Sequence, residues 1–254
     1  MTVDLFVKPE IFSPALGLNH SCHLWLLDLT QLTDEAILLQ QTVLSSAELL
    51  RAQTFKQRQL QFIAMRAFVR LCLSRYTLSA PHTLTLTTEA NGKPYLTNAP
   101  LPIVFNLSHS HNMAILAVGM DHAVGVDIEI TTRRRSQHSI AERYFHPTET
   151  ATFKQLADTE QCKYFFQLWT LKEAFLKATG AGISGGLDKT AFNFHDEDIR
   201  SSHIQVAIAP ELKTRAEAWQ FYQTFITADY CVALARNSEQ PFSVRWFNGA
   251  ELFF

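Results

Sequence analysis

The sequence contains little cysteine, and what it has is scattered. Its four cysteines, Cys22, Cys72, Cys162 and Cys231, form no C-x-x-C pair and no local cluster with histidine. This spacing argues against a small disulfide framework and a structural zinc site, since both use closely spaced ligands. The pattern predicts four buried thiols in a reducing compartment.

Long apolar runs and an excess of basic charge are also missing. No stretch approaches the ~18 apolar residues of a membrane span. The first residues lack the basic start and sustained apolar run of a secretory signal. The formal net charge is -2, so no global positive field attracts nucleic acid or an anionic membrane. We expect a cytoplasmic protein that binds neither nucleic acid nor a membrane. Any anionic ligand must then be held by local positive charge.

Apolar residues, in contrast, are plentiful, and their spacing indicates the same order of elements twice along the chain. They make up 47% of the 254 residues, enough for one large domain or two small ones. Alternation predicts strands at residues 23–29, 83–87, 103–107, 113–118, 124–130, 204–208, 219–226 and 230–235. The order strand, helices, strands occurs twice, which predicts an α+β fold. Its N-terminal lobe would span residues 1–121 and its C-terminal lobe residues 122–254.

The helices are marked by their ends. Thr33 followed by two acids, and Ser45 with Glu48 three positions on, predict helix starts. Pro147 predicts a third start, and Gly180 predicts the end of a strong helix at residues 164–179.

Two carboxylates share one face of the predicted strand at residues 124–130. Valine and isoleucine occupy alternate positions there, which leaves Gly125, Asp127 and Glu129 on the other face. Adjacent acids repel each other unless a cation lies between them, and oxygen-only ligands suit a hard ion such as Mg²⁺. The alternative is an exposed strand face with two solvated acids.

A lysine projects into the apolar stripe of the predicted helix at residues 164–179. Lys172 lies among aromatic and aliphatic residues at helical spacing. It either extends its ammonium group to the surface or sits beside a buried anion. Glu173 and Lys177 lie one turn apart on the flank of the stripe, where a plain surface pair would contribute only ~0.2–0.5 kcal/mol.

Polar residues follow the predicted strand at residues 103–107. Ser108, His109, Ser110 and His111 predict a short turn whose donors can bind phosphate oxygens. The two histidines also allow a zinc site, but no third nitrogen or sulfur ligand stands nearby in sequence.

One glycine-rich run matches a dinucleotide-binding fingerprint only formally. The run at residues 180–185 reads G-x-G-x-x-G but follows a helix, whereas the fingerprint follows a strand and opens a helix. We interpret it as a helix C-cap and loop, which disfavours an NAD-dependent oxidoreductase.

Four motifs occur in an order typical of one enzyme family. They are Gly92-Lys93-Pro94, Asn106-x-Ser108-His109-Ser110, Gly125-x-Asp127-x-Glu129 and Trp169-x-x-Lys172-Glu173-Ala174-x-x-Lys177. In this order and spacing the chain resembles the Sfp-type 4'-phosphopantetheinyl transferases over most of its length. The resemblance implies two α+β lobes related by a pseudo-twofold axis, with a ligand cleft between them for coenzyme A.

The resemblance also implies a reaction and residue roles. A serine of an apo acyl or peptidyl carrier protein attacks the β-phosphorus of coenzyme A, and 3',5'-ADP leaves. Mg²⁺, for which Mn²⁺ can substitute, is expected on Asp127, Glu129 and Glu173. Glu173 is the expected base and Lys177 the cation at the leaving group. The expected coenzyme A contacts are Lys93, Asn106, Ser108, His109, Thr131, Lys172 and Lys177.

One region departs from the family pattern. The family carries a basic residue in the N-terminal helical region that binds the 3'-phosphate, and the aligned positions here are Gln57 and Gln61. We assign this contact to Arg58, with Lys56 and Arg66 as alternatives. The family is often permissive, so the resemblance allows fatty-acid, polyketide, nonribosomal-peptide or other carriers as acceptors. We expect a monomer, because the two lobes of one chain would build the whole site.

Overall fold

The computed structural model describes residues 18–77, 79–97, 99–132, 137–182, 186–194 and 204–254. In these ranges the helices are α1 (Asp34–Leu39), α2 (Ser46–Gln53), α3 (Gln59–Thr77), α4 (Gln137–Tyr144), α5 (Pro147–Gln155) and α6 (Asp158–Thr179). The strands are β1 (Ser21–Asp28), β2 (Leu86–Thr88), β3 (Pro94–Leu96), β4 (Ile103–Ser110), β5 (Met113–Met120), β6 (Val124–Ile130), β7 (Thr190–Phe194), β8 (Ile204–Ile208), β9 (Trp219–Ile226), β10 (Tyr230–Asn237) and β11 (Ser243–Asn248). The predicted α+β class is confirmed. Within the described ranges, no helix is long and apolar enough to cross a bilayer.

The first of two compact units contains the described residues up to Asp121 together with Ser243–Phe254. Its main sheet has the strand order β11-β1-β5-β4, and β2 and β3 form a separate hairpin. The long helix α3 contributes Phe68 and Leu73 to a core that also contains Trp25 of β1. The Trp25 indole N–H is satisfied inside this core, since it donates to the Tyr76 hydroxyl at 2.8 Å.

The end of the chain corrects a predicted boundary. We predicted that the C-terminal lobe extends to residue 254, but residues 243–254 belong to the first unit. The reason is that β11 pairs in parallel with β1, with Trp246 opposite Leu24. Local alternation cannot reveal a strand partner that lies at the other end of the chain.

The second unit, His122–Phe242, is built on the sheet β6-β10-β9 with β10 in the middle. Both pairings are antiparallel. The helix α6 covers this sheet and contributes Phe165, Leu171 and Phe175 to an aromatic-rich core. The strands β7 and β8 form a second small sheet.

The backbone of α6 lies directly against β6 at one point. A Cβ atom added to Gly125 would lie 2.1 Å from the Ala174 carbonyl oxygen and 2.4 Å from the Ala178 nitrogen. Only glycine fits there, because any side-chain carbon would overlap the helix backbone. This contact sets the distance between the strand and the helix that carry the predicted metal ligands and catalytic residues.

The predicted helix ends are confirmed in detail. Thr33 accepts from the Ala36 N–H at 3.1 Å, and Ser45 forms the predicted capping box with Glu48. Pro147 is the first residue of α5, and Gly180 ends α6 with φ of 74°. The glycine-rich run after α6 is described only as far as Gly182, so its remaining residues lie outside the described part.

Candidate active site

The two acids of β6 occupy different environments. Asp127 is only 4% exposed, whereas Glu129, two residues further on, is half-buried. Both share the face of β6 on which Gly125 contacts α6. The alternative of an exposed face with solvated acids is therefore wrong for Asp127. A carboxylate at such a buried position needs a positive partner.

The helix α6 supplies that partner. The Lys177 ammonium group donates to Asp127 Oδ1 at 2.6 Å, from the helix to the strand. Glu173 lies one turn earlier on α6 and is 7% exposed. The interpretation of Lys177 as half of a plain surface pair is wrong, since its partner is a buried strand carboxylate. The geometry thus brings Asp127, Glu173 and Lys177 to the contact between α6 and β6.

The predicted metal ligands can be compared with this arrangement. Asp127 and Glu129 lie on one strand face, and Glu173 lies on the helix packed against that face. Among the residues described, no three His, Cys, Asp or Glu side chains are grouped closely enough to hold a metal ion. The donor chemistry nevertheless suits a hard cation, because all three groups offer only carboxylate oxygens.

The phosphate contact predicted for Lys172 does not fit its surroundings in the structure. Its side chain is fully buried, and its ammonium group pairs with Glu149 Oε2 at 2.7 Å. It also donates to the carbonyl oxygens of Leu187, at 2.8 Å, and Thr190, at 2.5 Å. These three acceptors use all three ammonium hydrogens. Of the two positions that the helical pattern allowed for Lys172, the one beside a buried anion is confirmed.

The partner of Lys172 was missed in the sequence. Glu149 is the third residue of α5 and closes a capping box with His146, whose N–H donates to Glu149 Oε2 at 2.9 Å. A histidine is an unusual N-cap, since serine, threonine, aspartate and asparagine predominate. Pro147 with a glutamate two positions later signals the helix start, but not the ion pair with Lys172.

The predicted polar turn after residue 107 is instead part of β4, which continues to Ser110. Strand alternation therefore separates neighbouring candidates. Asn106, Ser108 and Ser110 share one face and are buried, while His109 points to the other face and is exposed. The strand continues because every residue from Ile103 to Ser110 has a pairing partner on β5.

The candidate phosphate ligands outside β4 lie at element ends. Lys93 follows the turn at Gly92, and its N–H donates to the Asn91 side chain at 2.9 Å. Burial lowers the pKa of the Lys93 ammonium group, and the nearby Glu89 carboxylate partly opposes this shift. Thr131 follows β6, and its hydroxyl group donates to the Asp229 carbonyl oxygen at 3.1 Å.

The basic residues of the N-terminal helices fall into two groups. Arg66 and Arg70 both bind the Glu48 carboxylate, so Arg66 is a poor alternative for holding a phosphate. Burial raises the Glu48 pKa, but the Ser45 N–H and the two arginines outweigh it and leave that pKa below its usual value. Arg58 is exposed immediately before α3, and so is Lys56.

Comparison with known proteins identifies the family. The profile of the 4'-phosphopantetheinyl transferase superfamily matches residues 123–235. The 4'-phosphopantetheinyl transferase HetI of Nostoc sp. is 34% identical over 224 residues, which cover 85% of this chain and 87% of that protein. The transferase psf-1 of Bacillus pumilus is 45% identical over 100 residues, covering 39% of this chain and 41% of psf-1.

Two further comparisons each cover about half of this chain. The 4'-phosphopantetheinyl transferase Sfp of Bacillus subtilis is 33% identical over 129 residues, which cover 51% of this chain and 56% of Sfp. The crystal structure of Thermotoga maritima holo-(acyl-carrier-protein) synthase aligns with a TM-score of 0.36 and 19% identity, over 46% of this chain and 64% of that one. That structural likeness is too low to support an argument, and the family rests on the sequence relatives. The chain belongs to the 4'-phosphopantetheinyl transferase family and is a transferase enzyme.

Proposed function

We propose that this enzyme transfers the 4'-phosphopantetheine group of coenzyme A to a serine hydroxyl of an apo carrier protein and releases 3',5'-ADP. The observation that favours an active enzyme over a catalytically idle homologue is the ion pair between Lys177 and Asp127. It joins the helix that carries Glu173 to the strand that carries the other two acids. The lysine and the carboxylates of the proposed reaction therefore lie on two elements that face each other, α6 and β6.

We assign Mg²⁺ to Asp127, Glu129 and Glu173, with Mn²⁺ as a functional substitute. Carboxylate oxygens are the ligands that these cations prefer over thiolate or imidazole. When bound, the ion supplies positive charge that offsets the charge of the pyrophosphate during cleavage. The buried position of Asp127 supports this assignment, because a cation there would act in a poorly hydrated environment.

Glu173 is the proposed catalytic base. It lies on the same element as Lys177, one turn away, and is largely shielded from bulk water. In this role its carboxylate accepts the proton of the attacking serine as the new oxygen–phosphorus bond forms. Lys177 then stabilises the negative charge on the departing 3',5'-ADP.

The remaining candidates are proposed contacts of coenzyme A. Lys93, Ser108 and His109 would donate to its phosphates. Asn106 lies on the same face of β4 as Ser108, and Thr131 would contribute a hydroxyl group. Arg58 is the proposed ligand of the 3'-phosphate, since it is exposed and Arg66 is bound to Glu48. A bound phosphate beside Lys93 would favour the charged ammonium form against the effect of burial.

We further propose that the enzyme is a cytoplasmic monomer. All four cysteines are unbridged, which suits a reducing compartment. Its acceptors would be carrier domains of fatty-acid, polyketide or nonribosomal-peptide biosynthesis.

A mass-spectrometric assay tests the proposed function directly. The protein is incubated with coenzyme A, Mg²⁺ and a panel of apo carrier proteins, and intact masses are recorded. We expect at least one carrier to gain the mass of one phosphopantetheine group, with 3',5'-ADP formed in equal amount. A serine-to-alanine carrier is the control. No mass gain on any carrier, with intact protein and added Mg²⁺, would contradict the proposal.

A further inference from the structure

The fully buried lysine of α6 lies immediately before the proposed base. Lys172 is 0% exposed, and it is held by one carboxylate and two carbonyl oxygens from different segments of the second unit. Glu149 comes from α5, while Leu187 and Thr190 come from the turn and the first residue of β7. Because Lys172 and Glu173 are consecutive, any rotation or slide of the helix that these bonds resist would also move Glu173.

The partner carboxylate is itself held from several sides. Glu149 Oε1 accepts from the Phe192 N–H at 2.8 Å, and Oε2 accepts from the His146 N–H at 2.9 Å as well as from Lys172. The rings of Phe145 and Phe192 lie 5.7 and 5.8 Å from the Lys172 ammonium nitrogen. The pair is therefore desolvated, and Glu149 cannot follow a movement of the lysine without breaking bonds to α5 and β7.

Two different kinds of contact thus fix α6. At Gly125 its backbone touches β6 with no space for a methyl group, which prevents a closer approach. At Lys172 directional bonds to α5 and β7 resist rotation about the helix axis. An apolar residue could fill the same volume, but it would supply no directional bond.

We propose that the Lys172–Glu149 pair is a positioning device for catalysis, which holds α6 in the orientation that pairs Lys177 with Asp127 and fixes the position of Glu173 one turn earlier on the same helix. This inference rests on the proposed function. Neither Lys172 nor Glu149 touches the reacting groups, so each acts through the orientation of the helix. Loss of the pair lowers the rate of transfer more than the affinity for coenzyme A, because the proposed phosphate contacts lie largely on other elements.

The test separates positioning from mere stability. Lys172→Met leaves the buried Glu149 charge uncompensated, which destabilises the fold, whereas Lys172→Met with Glu149→Gln removes both charges. Replacing both partners of a buried pair is much less damaging to stability than removing one of them. Stability is followed by thermal unfolding, and kcat and KM for coenzyme A are measured well below the unfolding midpoint of each variant.

We expect the double variant to regain much of the lost thermal stability but to keep a kcat roughly tenfold or more below that of the wild type, with KM changed by less than about threefold. Lys172→Arg, which keeps the charge, should recover part of the rate. The matched control is Lys154→Met, which removes an exposed ion pair between α5 and Glu142 of α4, and it should leave kcat unchanged.

A double variant whose kcat is within twofold of the wild type would overturn the proposal and leave the pair a stabilising role only. A Lys172→Met variant that is folded and fully active would also overturn the proposal. A wild-type protein that modifies no carrier would instead refute the proposed function, so the two failures are distinguishable.

Discussion

Replacing Gly125 with alanine should separate α6 from β6. The added methyl carbon would lie 2.1 Å from the Ala174 oxygen, 2.4 Å from the Ala178 nitrogen and 2.9 Å from its Cα atom. Since comfortable contacts between such atoms need about 3.5 Å, the backbones must move apart by about 1 Å or more. All three obstructing atoms belong to backbone, so no side-chain rotation can relieve the overlap.

This displacement has two measurable consequences. Overpacking of this kind costs about 1–3 kcal/mol of stability, so the second unit should unfold at a lower temperature. A shift of ~1 Å between Asp127 and the α6 residues should lower kcat by about 10²-fold, because the transfer depends on their relative position. Thermal unfolding and the carrier mass-gain assay provide the measurements.

The matched control is a glycine with open space around it. Gly182 has no atom within 4 Å of an added Cβ, so Gly182→Ala adds only the strain of its positive φ, about 1–2 kcal/mol, with no steric overlap. It should leave kcat essentially unchanged. Wild-type kcat and stability in Gly125→Ala would show that this contact does not set the geometry of the site.

Four further predictions follow from the site and the core. Chelation should abolish transfer and added Mg²⁺ or Mn²⁺ should restore it, so full activity in excess chelator would exclude the metal assignment. Glu173→Gln should lower kcat by ~10²-fold or more while coenzyme A binding changes only a few fold. Asp127→Asn should weaken metal binding and be partly rescued by high Mg²⁺, so equal rescue of both variants would argue against Glu173 as base. Arg58→Ala should raise KM for coenzyme A roughly tenfold, since a charged hydrogen bond to phosphate contributes ~1.5–3 kcal/mol, and an unchanged KM would transfer the role to Lys56. Burial lowers the pKa of His23 to about 4, so its folded form binds fewer protons than its unfolded form. The stabilisation that the neutral His23 provides is therefore complete above pH ~6.5 and is lost as the pH falls towards 4, by up to ~1.4 kcal/mol per pH unit. If a His23→Gln variant showed the same dependence of its unfolding free energy on pH, this prediction would be wrong.

Local signals in the sequence predicted local structure well. The caps at Thr33 and Ser45 and the stop at Gly180 are formed by residues within a few positions of each other, so their chemistry can be read without the fold. The shared face of Gly125, Asp127 and Glu129 follows from strand periodicity alone. What the sequence could not supply was the depth of burial, because that depends on how α6 covers the strand.

Non-local contacts account for the errors. The pairing of β11 with β1 and the ion pair of Lys172 with Glu149 join residues far apart in sequence, and no local pattern specifies either partner. The polar composition of Ser108 to Ser110 suggested a turn, but pairing along β5 overrode that local preference. The partners of Asp127 and Lys172 emerged only from the three-dimensional arrangement.

The position of β11 has a consequence for the order in which the protein can fold during synthesis. The second unit is one continuous stretch of chain, so all of its strands are available once residue 242 has left the ribosome. The first unit leaves the ribosome earlier, but β1 is paired only with β5 and lacks its second neighbour until residues 243–248 have also left the ribosome. In that interval β1, whose residues Cys22 to Leu27 are buried in the finished fold, is an open apolar edge that can pair with another chain. The first unit is therefore synthesised first but completed last. We expect nascent chains to depend on chaperones that cover the exposed edge of β1.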